Sequence, residues 1–330
     1  MEISVVLLVT RLTEADHCLK SLEAQTFEGE REAVIVTSPE LSARIPETGL
    51  KIRIIPEADI NPAVRRNIGW RSSSAPVIAF IDDDLICDKE WLKNACSYLD
   101  VHPEISVLGG PDKLMPGASF GEEVSDYLLR TPFIGSGVIA HEGSKKDREI
   151  FSPSHLPLCN LFIRRELLEK IDGFNEKIHY VGEDTEMLFH AKKRYGARFY
   201  YKADAVVYHK RREFPVPFIK QRFFYRKKNG FLFFAYPEIY LLNPKFLIFF
   251  SLFTSGFAVL FLNSPLFLKL MVLYFFFVWI LTFRYYSKKW KLLPVLTFAF
   301  PLHHLTYYFG LWAGILYGLF HMKEARSMRR

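Results

Sequence analysis

Asp82, Asp83 and Asp84 follow directly on the apolar run Ala75-Pro-Val-Ile-Ala-Phe-Ile. An apolar run of this length, bounded by turn formers, predicts a buried strand. A strand ending in three carboxylates gathers negative charge at one point of a sheet edge, which is costly unless a cation sits there. Hard oxygen ligands at this spacing suit Mg2+ or Mn2+, and such ions commonly bridge an enzyme to a substrate diphosphate. Taken alone, the triplet fits a blander reading equally well: a solvated acidic turn, or the cap of a helix that starts near Lys89.

The surrounding elements favour the cation. Ile3 to Val9 reads as a first strand, Glu14 to Gln25 as an amphipathic helix, and Ala33 to Thr37 and Ile52 to Ile55 as the next two strands. Asn61 followed by Pro62 is a helix start signal, and Val77 to Ile81 is a fourth strand leading into the aspartates. This alternation predicts an α/β domain with a mainly parallel sheet and helices on both faces. Ligands of such sheets bind at the carboxyl ends of strands, where the triplet lies. Arg66 and Asn67, read as the start of the Asn61 helix, offer positive charge and helix amides to a diphosphate, whereas Arg65 reads as a solvated face.

The chain has 330 residues, enough for a large core, and half of them are hydrophobic but unevenly placed. Residues 1–214 read as the soluble domain, 215–240 as a basic and aromatic interfacial segment, and 241–330 as a membrane region rich in Phe, Leu and Tyr. The four cysteines form no CxxC pair, which speaks against a zinc site or a disulfide framework and for reduced, buried thiols. Ile3 to Val9 is short and follows Glu2 without a basic region, so no signal peptide is expected. The net charge of +7 is concentrated in eight basic residues between Lys210 and Lys228, interleaved with Phe, Pro and Tyr. Their place just before a long apolar region favours an anionic membrane leaflet over nucleic acid.

Phe246 to Leu262 and Leu266 to Phe283 read as two membrane spans joined by the tight turn Asn263-Ser-Pro. Leu292 to Phe320 is longer than one span needs and too short for two. Arg284, Lys288, Lys289 and Lys291 after the second span, and the basic tail, place both on the cytoplasmic side with the soluble domain. The third segment is therefore expected to be re-entrant or interfacial, with a break near Pro301; a full third span is the alternative.

An ordered set of motifs resembles the family 2 glycosyltransferases of GT-A fold over roughly residues 2 to 230. It comprises Arg65-Arg-Asn-Ile-Gly-Trp, Pro76-Val-Ile-Ala-Phe-Ile-Asp-Asp-Asp, Asp88-Lys-Glu-Trp-Leu, Leu158-Cys-Asn-Leu-Phe-Ile-Arg-Arg with Ile171-Asp-Gly-Phe-Asn-Glu, Val181-Gly-Glu-Asp-Thr-Glu-Met and Ala205-Val-Val-Tyr-His. The resemblance implies a Rossmann-like, mainly parallel GT-A domain that uses a nucleotide-sugar and Mn2+ or Mg2+. It implies Asp84 as direct metal ligand, Asp82 at the metal or the ribose, and neutral His209 as a further ligand. Thr10, Arg66, Asn67, Asp82 and Asp83 would bind the nucleotide-sugar, with Asp83 the most structural of the triplet. Asp184 would be the catalytic base that takes the acceptor proton in an inverting transfer, and Glu183 and Asn160 would lie on the acceptor side.

Two departures from the family pattern matter. Val36-Thr-Ser-Pro-Glu puts Thr37 and Ser38 where two acids usually contact the base, leaving UDP, GDP and dTDP donors all open, and Arg11 replaces an aromatic residue after Thr10. Gln221-Arg-Phe-Phe-Tyr-Arg does not match the Gln-x-x-Arg-Trp motif of processive synthases, which favours transfer of a single sugar. The apolar region suggests an acceptor held in the bilayer: a lipid-linked saccharide, a glycolipid or a polyprenyl phosphate. The rival class is a non-catalytic membrane scaffold with a degenerate GT-A domain.

Overall fold

The structure, a computed structural model, describes residues 1–151, 156–179 and 181–330. The chain divides into two compact units, Met1–Ala118 with Gly137–Arg211, and Ser119–Ser136 with Arg212–Arg330. In chain order the first elements are β1 (Ile3–Val9), α1 (Leu12–Glu23), β2 (Arg31–Thr37), α2 (Pro39–Ser42), β3 (Lys51–Pro56), α3 (Pro62–Arg71), β4 (Val77–Asp82) and β5 (Leu85–Cys87). Then come α4 (Trp91–Val101), β6 (Val107–Gly109), β7 (Asp112–Leu114), α5 (Phe120–Arg130), α6 (Ile139–Glu142), β8 (Arg148–Ile150) and β9 (Asn160–Arg164). The first unit closes with α7 (Arg165–Ile171), α8 (Glu183–Tyr195), β10 (Phe199–Tyr201) and β11 (Val207–His209), while α5 belongs to the second.

The main sheet runs β3-β2-β1-β4-β9-β6-β10-β8. β1–β2, β2–β3, β1–β4 and β6–β10 pair parallel, as the alternation of helices and strands requires. β9 enters antiparallel between β4 and β6, and β8 pairs antiparallel with β10, so the sheet is mixed though mostly parallel. Successive residues of a strand point to opposite faces. Val5, Leu7 and Ala79 accordingly pack with Leu19 of α1 and Trp91 of α4, whereas Val6, Ile78 and Phe80 pack with Trp70 of α3 and Leu168 of α7. Both faces are thereby covered, which is why the central strands β1 and β4 are almost wholly apolar.

Local chemistry starts the elements where expected. The Asn61 side chain accepts from the Ala63 amide at 3.0 Å and Pro62 opens α3. Asp83 is buried and ties the end of β1 to the end of β4. Its Oδ2 accepts from the Thr10 amide at 2.7 Å, the Thr10 hydroxyl at 2.8 Å and the Arg11 amide at 3.0 Å. A second sheet, β5-β11-β7, lies beyond it; β11 pairs antiparallel with β5, setting His209 opposite Leu85, and parallel with β7, setting Val207 opposite Asp112.

The second unit is helical: α5 is joined by α9 (Val216–Leu232), α10 (Pro237–Leu241), α11 (Pro244–Leu262), α12 (Ser264–Tyr286), α13 (Leu293–Phe320) and α14 (Met322–Ser327). Among the described residues one helix, over Ser264–Lys289, is long and apolar enough to cross a membrane by length and composition, and Phe246–Leu262 is a shorter apolar helix. The break expected near Pro301 is absent, and α13 continues through it. Proline removes one helical hydrogen bond, but here Ala299, Phe300, Pro301, His303 and His304 are buried, and packing on several sides holds the helix across the gap. α9 crosses α13 through glycines: a Cβ built at Gly314 would overlap the Lys227 carbonyl, and one at Gly230 would overlap that of Leu311. Gly310, Gly314 and Gly318 recur every fourth residue, the small-residue spacing by which helices approach backbone to backbone.

Two stability changes follow from these contacts. Asp83→Ala leaves the part-buried amides of Thr10 and Arg11 without their acceptor and should cost about 2 kcal/mol, read as a lower thermal midpoint in detergent. Gly314→Leu should force α9 off α13 at a cost of about 3 kcal/mol. A midpoint equal to wild type in either variant would show that the contact contributes nothing.

Candidate active site

The carboxyl end of β4 gathers groups from distant parts of the chain. Asp82 is the last residue of β4 and its carboxylate is 40% exposed, whereas those of Asp83 and Asp84 are 6% and 12% exposed. Of the triplet, Asp82 is thus the one open to a ligand, Asp83 is the structural clamp, and Asp84 turns toward β11. The antiparallel register that sets His209 opposite Leu85 places it one residue from Asp84, with His209 Nε2 3.3 Å from Asp84 Oδ1. Asp82, Asp84 and His209 each offer one ligand atom, and these atoms lie within 4.8 Å of one another. Two ligands of one ion can be no farther apart than twice the bond length, about 4.2 Å for Mg2+, so a small closing movement would let one ion bind all three. Two carboxylates with an imidazole form a donor set that fits Mn2+ well.

Cations line the other side of the carboxylates. Arg11 Nη2 is 2.8 Å from Asp84 Oδ2 and 3.3 Å from Asp83 Oδ1. Arg66 Nη1 is 2.5 Å from Glu183 Oε1, and Nη2 is 3.9 Å from Asp82 Oδ1. Burial would raise the Asp84 carboxyl, but the hydrogen bonds and charges of His209 and Arg11 outweigh it and hold the group well below the usual carboxylate range. Burial also disfavours a charged His209, yet its bonds to Asp112 and Asp84 raise it well above the ordinary histidine value. An ion bound at Nε2 would take the place of any proton there, since only the neutral imidazole offers that lone pair.

Gly182, with φ +99°, turns the chain into α8, so that Glu183 and Asp184 occupy its first turn, where carboxylates are favoured. Glu183 is buried, and burial pushes its carboxyl upward against the opposing charge of Arg66. Its Oε2 has no hydrogen-bond partner among the described residues. Asp184 is partly exposed, and its Oδ1 accepts from the Thr185 amide at 2.6 Å. The chain Asp82–Arg66–Glu183 links this helix start to the strand end.

Several expected site residues have other work. Arg66 and Asn67 lie beyond the first turn of α3, away from its free amides. The Asn67 side chain is buried; its Nδ2 donates to the Phe174 carbonyl and to Glu176, both at 2.8 Å, and its Oδ1 accepts from Trp70 Nε1 and the Phe174 amide. It pins α3 to the segment before α8 and presents nothing to a diphosphate. Arg65, expected on a solvated face, is buried and donates to the carbonyls of Asp59 and Glu57. Asn160 is fully buried rather than facing an acceptor. Its Nδ2 donates to the carbonyls of Ala205 at 2.8 Å and Pro111 at 3.1 Å, and its Oδ1 accepts from Trp91 Nε1 at 2.8 Å. It braces the chain just ahead of β11 and β7. Thr10 is engaged with Asp83, and the Thr37 hydroxyl donates to the Val9 carbonyl. Arg211, counted from the sequence in the basic interfacial stretch, is instead buried against Asp112.

Sequence reasoning missed Arg11 as a site cation and the whole cluster of Asp112, His141, Cys159 and Arg211 behind His209. The available signal was Gly109-Gly-Pro-Asp, a second carboxylate just past a strand end.

A family model described as glycosyl transferase family group 2 matches residues 77–322. No curated protein matches the chain. Among solved structures, the mannosyltransferase PcManGT from Pyrobaculum calidifontis is similar with a TM-score of 0.55 at 16% identity, over 97% of this chain and 87% of that one. S. aureus TarS gives a TM-score of 0.46 at 20% identity over 71% of this chain; the chain spans 40% of that TarS structure. A shorter TarS structure in complex with UDP-GlcNAc gives 0.47 at 19% identity, over 95% of this chain and 91% of that one. The mannosyltransferase shares the GT-A-like α/β fold, and with the family model covering well over half of its length the chain belongs to glycosyl transferase family group 2 and is a glycosyltransferase.

Proposed function

We propose that the protein transfers a single sugar from a nucleotide-sugar donor, with inversion and with the aid of a divalent cation, to an acceptor held in a membrane, and that its catalytic unit works on the cytoplasmic side. The observation that carries this reading is the convergence of Asp82, Asp84 and His209 on one point, joined through Arg66 to the Glu183–Asp184 turn. The mannosyltransferase of similar fold is in complex with GDP-Man and Mn2+, which supports a nucleotide-sugar and that metal.

Asp82, Asp84 and His209 would hold the cation, which when bound neutralises charge growing on the leaving nucleoside diphosphate. Arg66 adds a fixed positive charge beside Asp82 that suits the same diphosphate. Asp184 takes the proton of the acceptor hydroxyl as its oxygen attacks the anomeric carbon. The bond from that carbon to the diphosphate breaks on the opposite face, so the configuration inverts. The orphan Oε2 of Glu183 accepts a hydrogen bond from a sugar hydroxyl and so orients it. The apolar helix over Ser264–Lys289 and the exposed Lys220 and Lys227 on α9 support an acceptor at an anionic membrane surface: a lipid-linked saccharide, a glycolipid or a polyprenyl phosphate.

A thermal-shift panel of UDP-, GDP- and dTDP-sugars in detergent, with and without Mn2+, tests the donor and the metal together. Stabilisation that needs both is expected, and Asp84→Asn should abolish the Mn2+ requirement along with the shift. Asp184→Asn should keep the donor-dependent shift while transfer falls by about 10²–10⁴-fold. Transfer at the wild-type rate would remove Asp184 as the base, and a panel with neither binding nor transfer would favour a scaffold.

A further inference from the structure

The proposed reaction leaves one elaborate polar cluster without a task. Asp112 on β7 is 1% exposed, and three basic side chains surround it. Its Oδ1 faces His141 Nδ1 at 2.7 Å, and its Oδ2 accepts from Arg211 Nη1 at 2.8 Å and faces His209 Nδ1 at 3.4 Å. Its backbone carbonyl also accepts from Arg211 Nη2 at 2.6 Å. Cys159 Sγ is 3.9 Å from Oδ2, so that Asp112, Cys159 and His209 have the spacing of a metal triad of their own.

Physical chemistry argues against a second metal there. The Arg211 guanidinium is a permanent charge in contact with the carboxylate and would repel a cation. Burial pushes the Cys159 thiol up to about 12, which withholds the thiolate that a soft metal needs. Both carboxylate oxygens already have partners. What remains is the relation to His209. An imidazole that coordinates through Nε2 must keep its proton on Nδ1, and a carboxylate can only accept, so a carboxylate facing Nδ1 selects that tautomer. Arg211 Nη1 also lies 3.4 Å from His209 Nδ1, but its closer bond is to Asp112. His209 Nε2, 3.3 Å from Asp84 Oδ1, is then the nitrogen at which a cation would take the place of a proton.

We propose that Asp112 is a positioning residue for the cation site, holding His209 so that Nε2 faces Asp82 and Asp84, with Arg211 and His141 anchoring Asp112 in turn. The proposal rests on the reading of Asp82, Asp84 and His209 as the site of a divalent cation. Outer carboxylates of this kind orient metal-ligating histidines and strengthen them as ligands.

The test titrates Mn2+ into the full chain in detergent, alone and with UDP or GDP, and records pulsed EPR of the bound ion. Wild type should show modulation from a directly coordinated imidazole nitrogen. Asp112→Asn should bind Mn2+ about 10–100-fold more weakly and lose or alter that nitrogen signal, a change that a merely structural role would not single out. If Asp112→Asn does not fold, the double variant Asp112→Asn with Arg211→Met removes the buried pair together and should show the same two changes. A folded variant with wild-type Mn2+ affinity and an unchanged nitrogen signal overturns the role of Asp112 alone. Wild type that binds no Mn2+ under any of these conditions overturns both this role and the metal dependence beneath it.

Discussion

Carboxylates crowded into a poorly hydrated strand end repel one another, and the first unit is arranged around that repulsion. Asp82, Asp83 and Asp84 are adjacent in sequence, and Asp83, Asp112 and Glu183 are buried. Each has its own answer. Asp83 is satisfied by backbone and hydroxyl donors at the end of β1, Asp84 by Arg11 and His209, Asp112 by Arg211 and two histidines, and Glu183 by Arg66. Among the triplet, Asp82 has the weakest compensation, from the distant edge of Arg66 and the charge of His209, and the greatest exposure. The charge left least compensated is therefore the one open to solvent, which is where a bound cation would be stabilised most.

This arrangement depends on strand pairing more than on the loops. The short β11 carries His209, and its pairing with β5 on one side and β7 on the other sets the histidine between Asp84 and Asp112. A slip of one residue would turn His209 to the other face. Asn160, at the start of the antiparallel β9, guards against such a slip by bonding to the carbonyls just before both β7 and β11, with Trp91 fixing its amide from the core. The rigid elements thus bring their precision to the side chains they carry.

The second unit solves a different problem. α11, α12 and α13 are apolar on most faces, and burial alone gives such helices little preference among partners. Gly230 and Gly314 let α9 and α13 meet backbone to backbone, and aromatic residues close around the crossing, with the Arg226 guanidinium over the Tyr307 ring at 3.5 Å. Shape rather than hydrophobicity selects this pairing. Pro301, a helix breaker in isolation, lies inside one continuous helix among buried neighbours.

Much was legible in the sequence alone, for identifiable reasons. Short continuous apolar runs, the Asn61-Pro62 start and the apolar stretches after residue 240 act over a few residues, so β1 to β4, α3 and the C-terminal helices follow from local chemistry. The order of the motifs was enough to single out Asp84, His209, Arg66 and Glu183 as candidates for one site. What the linear chain could not convey is the direction in which each side chain turns and what it meets there. Asp82, Asp83 and Asp84 are chemically identical, yet one faces solvent, one clamps β1 and one turns to His209. Asn67 and Asn160 look like ligand contacts and are internal braces, and Arg211 looks like part of a surface patch and is buried on Asp112. Those outcomes are decided by partners far away in sequence, brought close only by sheet register and helix docking, and hydrogen-bond satisfaction in a buried site depends on what is close in space.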